Sequence, residues 1–231
     1  MRQLWFVMLV VLAVAGIALS FYVNSQKLDD GQAGRAFKEG ENGELIEQDG
    51  ERTEGRAEVD FPRDEDGLLT GFTLTERSGE QVSSDDLKGQ PYVAGFFFST
   101  CPSICVQQNS KVQELQEQFK GQPVRFLSIS CDPEVDTPEV LTKYAERFNA
   151  DPEQWLFFTG DMTYIRNVGF DRFRLGVMRK GHPEKFALMD ANDEMVGLYT
   201  WSDEGQWATL QADIEKVIAA GGVMPKKDQD N

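Results

Sequence analysis

Two cysteines four positions apart carry the clearest chemical signal in this chain. Cys101 and Cys105 form a CxxxC motif that begins three residues after the end of the apolar run 91–98. If a helix begins at the motif, this spacing places both sulfurs on one helix face, with Cα atoms about 6 Å apart, as a disulfide tolerates. Amides at a helix N-terminus would favour the thiolate form. The pair is therefore suited to disulfide chemistry or to binding one soft metal ion, rather than to a purely structural role.

The single histidine of the chain, His182, lies just before the apolar segment 186–189. A lone histidine is more often a surface or core residue than a ligand. In a thioredoxin-like sheet, however, the loop before this strand lies beside the strand end that carries the cysteines. Two thiolates and one imidazole form a soft three-coordinate site that suits copper in either oxidation state, whereas zinc usually takes a fourth ligand.

The third cysteine, Cys131, follows the predicted strand 124–130. In a parallel sheet that strand end lies on the same side as Cys101, so Cys131 could be a third thiol near the site. A buried free cysteine is the favoured interpretation, because a free cysteine behaves as a small apolar residue.

The elements that must position these residues alternate between strand and helix patterns. Strands are predicted at 72–75, 91–98, 124–130, 155–160, 186–190 and 196–199, and helical segments at 84–87, from the CxxxC motif to Gly121, from Asp136 to Phe148, at 163–170 and around 210–218. This order is typical of an α/β protein. The predicted fold is a thioredoxin-like mixed sheet with an antiparallel edge, flanked by helices.

The N-terminal region has a different composition. Residues 4–23 carry no charge, and a helix of that length would cross the roughly 30 Å hydrocarbon core of a bilayer. A cleaved signal peptide is the alternative, but its apolar stretch would be shorter. We predict an uncleaved transmembrane anchor at 1–23, with the rest of the chain on the extracytoplasmic (periplasmic) side according to the positive-inside rule.

The remaining boundaries follow from composition and charge. Residues 24–66 are acidic, rich in glycine and poor in apolar periodicity, which predicts a flexible linker that could dock locally through Phe61. The thioredoxin-like domain is predicted at 67–222 and a loose tail at 223–231. The net charge of −16 argues against binding to nucleic acid.

These motifs together resemble the Sco/SenC family over roughly residues 68–220. The matching pieces are Gly71–Thr75, Asp86–Pro91, Phe97–Cys105, Ser128–Glu134, Asp136–Glu139, Thr159–Asp161 and His182 with Asp190 eight residues later. The cysteine motif combined with the downstream DPE and DTPE segments is quite specific. Three positions depart from the family pattern: Val106 where proline is usual, Gly181 where aspartate is common, and Cys131 where an apolar residue is usual.

The resemblance implies a membrane-tethered, thioredoxin-like copper chaperone for cytochrome c oxidase assembly. It further implies that Cys101, Cys105 and His182 bind one copper ion per chain, as Cu(I) or Cu(II). The implied client is the oxidase subunit that holds the dinuclear copper centre, and a copper donor or a thiol reductant would be a further partner. Whether such a chain counts as an enzyme depends on whether it also reduces thiols.

Two further functions compete with copper delivery. In an extracytoplasmic thiol–disulfide oxidoreductase with no copper role, Cys101 would attack a client disulfide and Cys105 would resolve it, without a need for His182. A peroxidase would need a threonine and an arginine beside an activated cysteine, and only Thr100 is evident. The first alternative remains open, and it could coexist with copper binding because the metal and the disulfide use the same sulfurs.

Overall fold

A computed structural model of the protein describes residues 62–224, together with the backbone of 37–39 and 45–47. Strands β1 (Phe37–Glu39) and β2 (Leu45–Glu47) pair antiparallel within the segment predicted as a linker. They belong to one compact unit, 1–59, and residues 60–231 form another. The predicted anchor, Phe61 and the tail beyond Met224 lie outside the described residues. Among the residues that are described, no helix has the length and apolarity needed to cross a membrane.

The second unit is built on a seven-stranded mixed sheet. Its strands are β3 (Thr73–Glu76), β4 (Gln81–Ser83), β5 (Tyr92–Phe97), β6 (Arg125–Ser130), β7 (Trp155–Thr159), β8 (Lys185–Met189) and β9 (Met195–Thr200). The spatial order is β4-β3-β7-β6-β5-β8-β9. β5, β6 and β7 run parallel, and antiparallel strands extend the sheet on both sides. The predicted mixed α/β sheet is confirmed, with antiparallel strands at both edges.

Within residues 62–224, four helices and one short 3₁₀ turn accompany the sheet. They are α1 (Ile104–Gln118), α2 (Pro138–Glu146), α3 (Met162–Asp171), α4 (Glu204–Ala219) and the 3₁₀ turn Ser84–Leu87. Side-chain caps fix where α2 and α3 begin: Thr137 precedes a proline at the first helical position, and the carboxylate of Asp161 accepts the amide of Tyr164 at 2.9 Å. Such caps satisfy amides that have no partner inside the helix.

The sheet separates two apolar cores, and β5 contributes to both. Val93 and Phe97 belong to the core that also contains residues of α1, α2 and α4. Ala94 and Phe96 belong to the other core, with residues of α3. A strand whose two faces are both buried is continuously apolar rather than alternating, which is why the run 91–98 was recognisable. Burial on both faces makes β5 a rigid support for the cysteine motif at its end.

The segment 62–66 lies in the predicted linker, yet it forms ordered structure next to β3. Asp64 accepts the amide of Leu68 at 2.9 Å, and Arg63 pairs with Leu69 in an isolated bridge. The carboxylate of Asp171 in α3 accepts the amide of Leu69 at 3.1 Å and lies 3.5 Å from the guanidinium of Arg63. These contacts tie the chain before β3 to the body of the second unit.

Candidate metal and thiol site

The two cysteines of the CxxxC motif lie at the carboxyl end of β5, on either side of the start of α1. The helix begins at Ile104, so Cys105 is helical while Cys101 precedes the helix. This differs from the expectation that both cysteines share one helical turn. Pro102 accounts for the difference, because a proline disfavours the helical conformation in the residue before it. The thiols nevertheless interact with each other, and the sulfur of Cys101 also accepts the amide of Cys105 at 3.5 Å.

The imidazole of His182 reaches the same place from the loop before β8. Its Nε2 lies 3.3 Å from Sγ of Cys105, although the two residues are 77 positions apart in sequence. Nδ1 lies 3.2 Å from the carbonyl oxygen of Pro183. A carbonyl can only accept, so this hydrogen bond places the proton on Nδ1 and leaves the Nε2 lone pair facing Cys105. The ring of Phe98 lies edge-on to the imidazole.

Cys105 is the central member of the group, because it contacts both Cys101 and His182. Within residues 62–224, no three or more His, Cys, Asp and Glu side chains are arranged as a preformed metal cage. The donor set itself, two sulfurs and one imidazole nitrogen, is one that soft Cu(I) accepts. Binding of an ion by all three would therefore require Cys101 and His182 to adjust around Cys105.

The two thiols of the motif differ in acidity. Burial raises the pKa of Cys101, but the backbone amides of Cys105, Ser103 and Ile104 outweigh it, and the pKa lies below its usual value. Burial and the neighbouring thiol of Cys101 raise the pKa of Cys105 to about 12. Because the thiolate is the nucleophile, Cys101 is the more reactive of the pair. It also retains 7% exposure, whereas Cys105 is fully buried.

Burial lowers the pKa of His182, against smaller opposing effects of the Pro183 carbonyl and the Glu184 carboxylate. The neutral imidazole is therefore the favoured form near neutral pH. A neutral ring nitrogen is the form that binds metals.

Cys131 lies beneath the loop that carries His182. It is a free, fully buried cysteine. Its amide donates to the carbonyl of Phe97 at 2.8 Å, and its carbonyl accepts the amide of Lys180 at 3.0 Å. Burial raises the pKa of its thiol to about 12, although the amides of Gly181 and Lys180 oppose this. Cys131 also contributes to the raised pKa of Cys105, so it lies near the site as a protonated thiol.

Two buried carboxylates support the site, and their partners were not evident from the sequence. Asp136 accepts the amide of Ser99 at 3.0 Å and the hydroxyls of Ser99 and Ser130. It therefore anchors the segment before Cys101, while Thr137 caps α2. Asp132 accepts Nε of Arg179 at 3.1 Å. Both carboxylates belong to the DPE and DTPE segments, but their partners are too far away in sequence for periodicity to reveal.

Comparison with known proteins places this architecture in one family. The family model for SCO1/SenC matches residues 62–219, so the chain belongs to the SCO1/SenC family. It is 30% identical over 129 residues to the SCO1 protein homolog of Bacillus subtilis, and the aligned region covers 54% of this chain and 66% of that protein. The chain spans between about half and two thirds of the curated relatives that it matches first.

Solved structures agree with the family and the fold. BsSco, described with a disulfide switch as a member of the Sco family of cytochrome c oxidase assembly proteins, is 26% identical with a TM-score of 0.60, over 67% of this chain and 93% of that chain. ScoI of Bradyrhizobium japonicum with copper bound is also 26% identical, with a TM-score of 0.51 over 64% of this chain and 98% of that one. The sheet and its flanking helices are thus thioredoxin-like, as predicted.

Proposed function

We propose that this chain binds one copper ion through Cys101, Cys105 and His182, and that it serves the dinuclear copper site of cytochrome c oxidase during assembly. It would deliver copper to that site or reduce its cysteines. The observation that carries the proposal is the 3.3 Å separation of Cys105 Sγ and His182 Nε2, which brings a soft donor pair together across 77 residues. Family membership and the copper-bound structure of the similar ScoI support it.

The chemistry of delivery is ligand exchange without net redox change. Cu(I) displaces the thiol protons on binding, because the thiolate is the ligand. Cys101 would be the sulfur that a partner thiolate reaches first, since it is the less deeply buried of the pair. Each new bond from copper to a partner sulfur would replace a bond to Cys101, His182 or Cys105, and the released thiolates would take up protons again.

A second candidate function, thiol–disulfide exchange, is favoured by the unequal acidity of the two thiols. The thiolate of Cys101 would attack a client disulfide, form a mixed disulfide and release one client thiolate. Cys105 would then attack the sulfur of Cys101, close the intramolecular disulfide and release the second client thiol. Two electrons pass from the pair to the client. The disulfide switch described for the similar BsSco is consistent with this chemistry.

Anaerobic titration of the reduced protein with Cu(I) tests the proposal. The wild type should bind one copper per chain, and His182→Ala should bind it more weakly because an imidazole ligand is lost. Cys131→Ala is the matched control, since it removes a nearby thiol that is outside the proposed ligand set. Undiminished affinity in Cys101→Ser, Cys105→Ser and His182→Ala would refute copper binding at this site. Retained disulfide reduction in His182→Ala without copper binding would favour the oxidoreductase.

We also propose that residues 4–23 anchor the chain in a membrane with the second unit on the extracytoplasmic side. The support is the uncharged run of sufficient length. A dithiol in that compartment tends to oxidise, so loading with Cu(I) would require a thiol reductant as well as a copper donor. Reporter fusions after residue 23 and after residue 224 should both give extracytoplasmic activity, and a cytoplasmic signal would refute this topology.

A further inference from the structure

The loop that carries His182 is a tight hairpin. Met178 and Gly181 exchange two backbone hydrogen bonds, of 2.8 and 2.9 Å, which leaves Arg179 and Lys180 at the tip. Lys180 adopts a left-handed conformation with φ of 56°. For a residue other than glycine such a conformation is strained and persists only when its surroundings hold it. The hairpin therefore depends on contacts made by its tip.

Those contacts converge on Asp132, immediately after β6. The Asp132 side chain is fully buried. Its Oδ1 accepts Nε of Arg179 at 3.1 Å, and its Oδ2 lies 3.4 Å from Nζ of Lys180. Oδ2 forms no hydrogen bond within residues 62–224, and the ammonium of Lys180 is a counter-charge beside it. Together with the backbone bond from Lys180 to Cys131, this joins both tip residues to the end of β6.

The same short segment also holds the cysteine loop. The amide of Asp132 donates to Oγ of Ser130 at 3.0 Å, and the Ser130 hydroxyl donates to Asp136 at 2.5 Å. Asp136 in turn accepts the amide of Ser99, two residues before Cys101. A continuous series of hydrogen bonds thus runs from the tip of the His182 hairpin to the segment that precedes the first cysteine.

The imidazole of His182 has few restraints of its own. Its Nδ1 bonds to the carbonyl of the adjacent Pro183, which moves with the same loop. The ring packs edge-on against Phe98. The distance from Nε2 to Cys105 is therefore set mainly by where the hairpin backbone is held. The Asp132 carboxylate and the backbone bond from Lys180 to Cys131 fix the hairpin tip together, so the carboxylate helps to set where the ring lies.

We propose that Asp132 is a positioning residue that holds the imidazole of His182 against Cys105 by fixing Arg179 and Lys180. The expected effect of Asp132 on copper affinity rests on the proposed function, in which His182 is a copper ligand. Metal-binding histidines depend on such outer contacts for orientation, and removal of one typically costs about 10- to 100-fold in metal affinity. Asp132 touches no proposed ligand directly, so its action passes entirely through the hairpin.

Glu134 provides a matched control in the same cluster. It lies 2.6 Å from NH2 of Arg179, but its side chain is 69% exposed, and exposed ion pairs contribute little. Asp132→Asn keeps the shape of the buried side chain and removes its charge. The cations that it releases are about half exposed, so water can solvate them and no buried charge is left unpaired. Asp132→Asn is therefore expected to fold.

The experiment compares Asp132→Asn with Glu134→Gln in the reduced full-length chain under anaerobic conditions. Competition with a Cu(I) chelator should show affinity lowered about 10-fold in Asp132→Asn and changed by less than about 2-fold in Glu134→Gln. Asp132→Asn combined with His182→Ala should bind as His182→Ala alone does. The chain has one histidine, so ¹⁵N-histidine labelling gives one ring spectrum, which should shift or broaden in metal-free Asp132→Asn but not in Glu134→Gln.

Three results would overturn the proposal. The first is wild-type affinity with an unchanged ring spectrum in Asp132→Asn. The second is an equal effect of Asp132→Asn and Glu134→Gln on copper affinity. The third is a further loss of affinity when Asp132→Asn is added to His182→Ala. Failure of the proposed function would look different. In that case His182→Ala would bind copper as the wild type does, while the ring spectrum of the metal-free protein would still report whether Asp132 holds the imidazole.

Discussion

Raising the pH should strengthen copper binding, with a slope that the structure determines. The ligand is the thiolate, so each proton displaced by copper makes the affinity rise about 10-fold per pH unit. The pKa of Cys105 is raised to about 12 by burial and by the adjacent Cys101. Its thiol is therefore protonated across the range from about pH 6 to 9 and supplies about one displaced proton throughout.

The other two proposed ligands, Cys101 and His182, determine how the slope changes. The backbone amides around Cys101 lower its pKa despite its burial, so it supplies a second proton only below that pKa. Burial lowers the pKa of His182, so its imidazole is already neutral above its ordinary value of about 6.5 and supplies none there. Where His182 is neutral and Cys101 is still protonated, the logarithm of the affinity should rise by about two per pH unit, and it should rise by about one once Cys101 is ionised.

Anaerobic competition against a chromophoric Cu(I) chelator of known protonation constants measures this slope. Cys105→Ser should lower the slope by about one unit at every pH, because the proton that persists to high pH belongs to Cys105. The same titration on Cys131→Ala serves as the control and should retain the wild-type slope. Affinity that is independent of pH, or a slope that Cys105→Ser leaves unchanged, would refute the assignment of that thiolate as a ligand.

Two further predictions concern stability. Asp136→Asn places an amide nitrogen among donors that include the amide of Ser99. We therefore expect urea denaturation to show a loss of about 3 kcal/mol in the free energy of unfolding. An unchanged free energy of unfolding would contradict the role of this carboxylate. Gly169→Ala would place a Cβ in overlap with Val177 and 2.9 Å from the carbonyl of Leu175. This overlap should lower the free energy of unfolding by about 1–3 kcal/mol and lower the Tm measured by calorimetry. An unchanged Tm would show that α3 shifts freely.

The sequence was sufficient for the central part of the fold. The run 91–98 is apolar on both faces because β5 separates two cores, and such a run predicts a buried strand. The position of His182 before β8 followed from the topology once that strand had been recognised. By contrast, β4 was not predicted, because Gln81 and Ser83 give an edge strand without an apolar pattern.

The supporting contacts of the site could not be predicted in this way. Asp132 and Arg179 are 47 residues apart, and Ser99 and Asp136 are 37 apart. No periodicity links such pairs, since they meet only after the strands have assembled. Pro102, on the other hand, was a local signal that Cys101 lies outside the helix. The chemistry-bearing residues were thus visible in the sequence, whereas the residues that orient them were not.

Because Cys105 and His182 are far apart in sequence, an ion bound to both would also cross-link the chain. An ion bonded to both residues closes a ring of backbone that contains β6, β7 and the helices between β5 and β8. A ligand that binds only the native state adds to its stability. Release of the ion would therefore leave a chain that unfolds, and is cleaved by proteases, more readily. If the proposed copper binding holds, the copper-free and the copper-bound chain would then differ in lifetime.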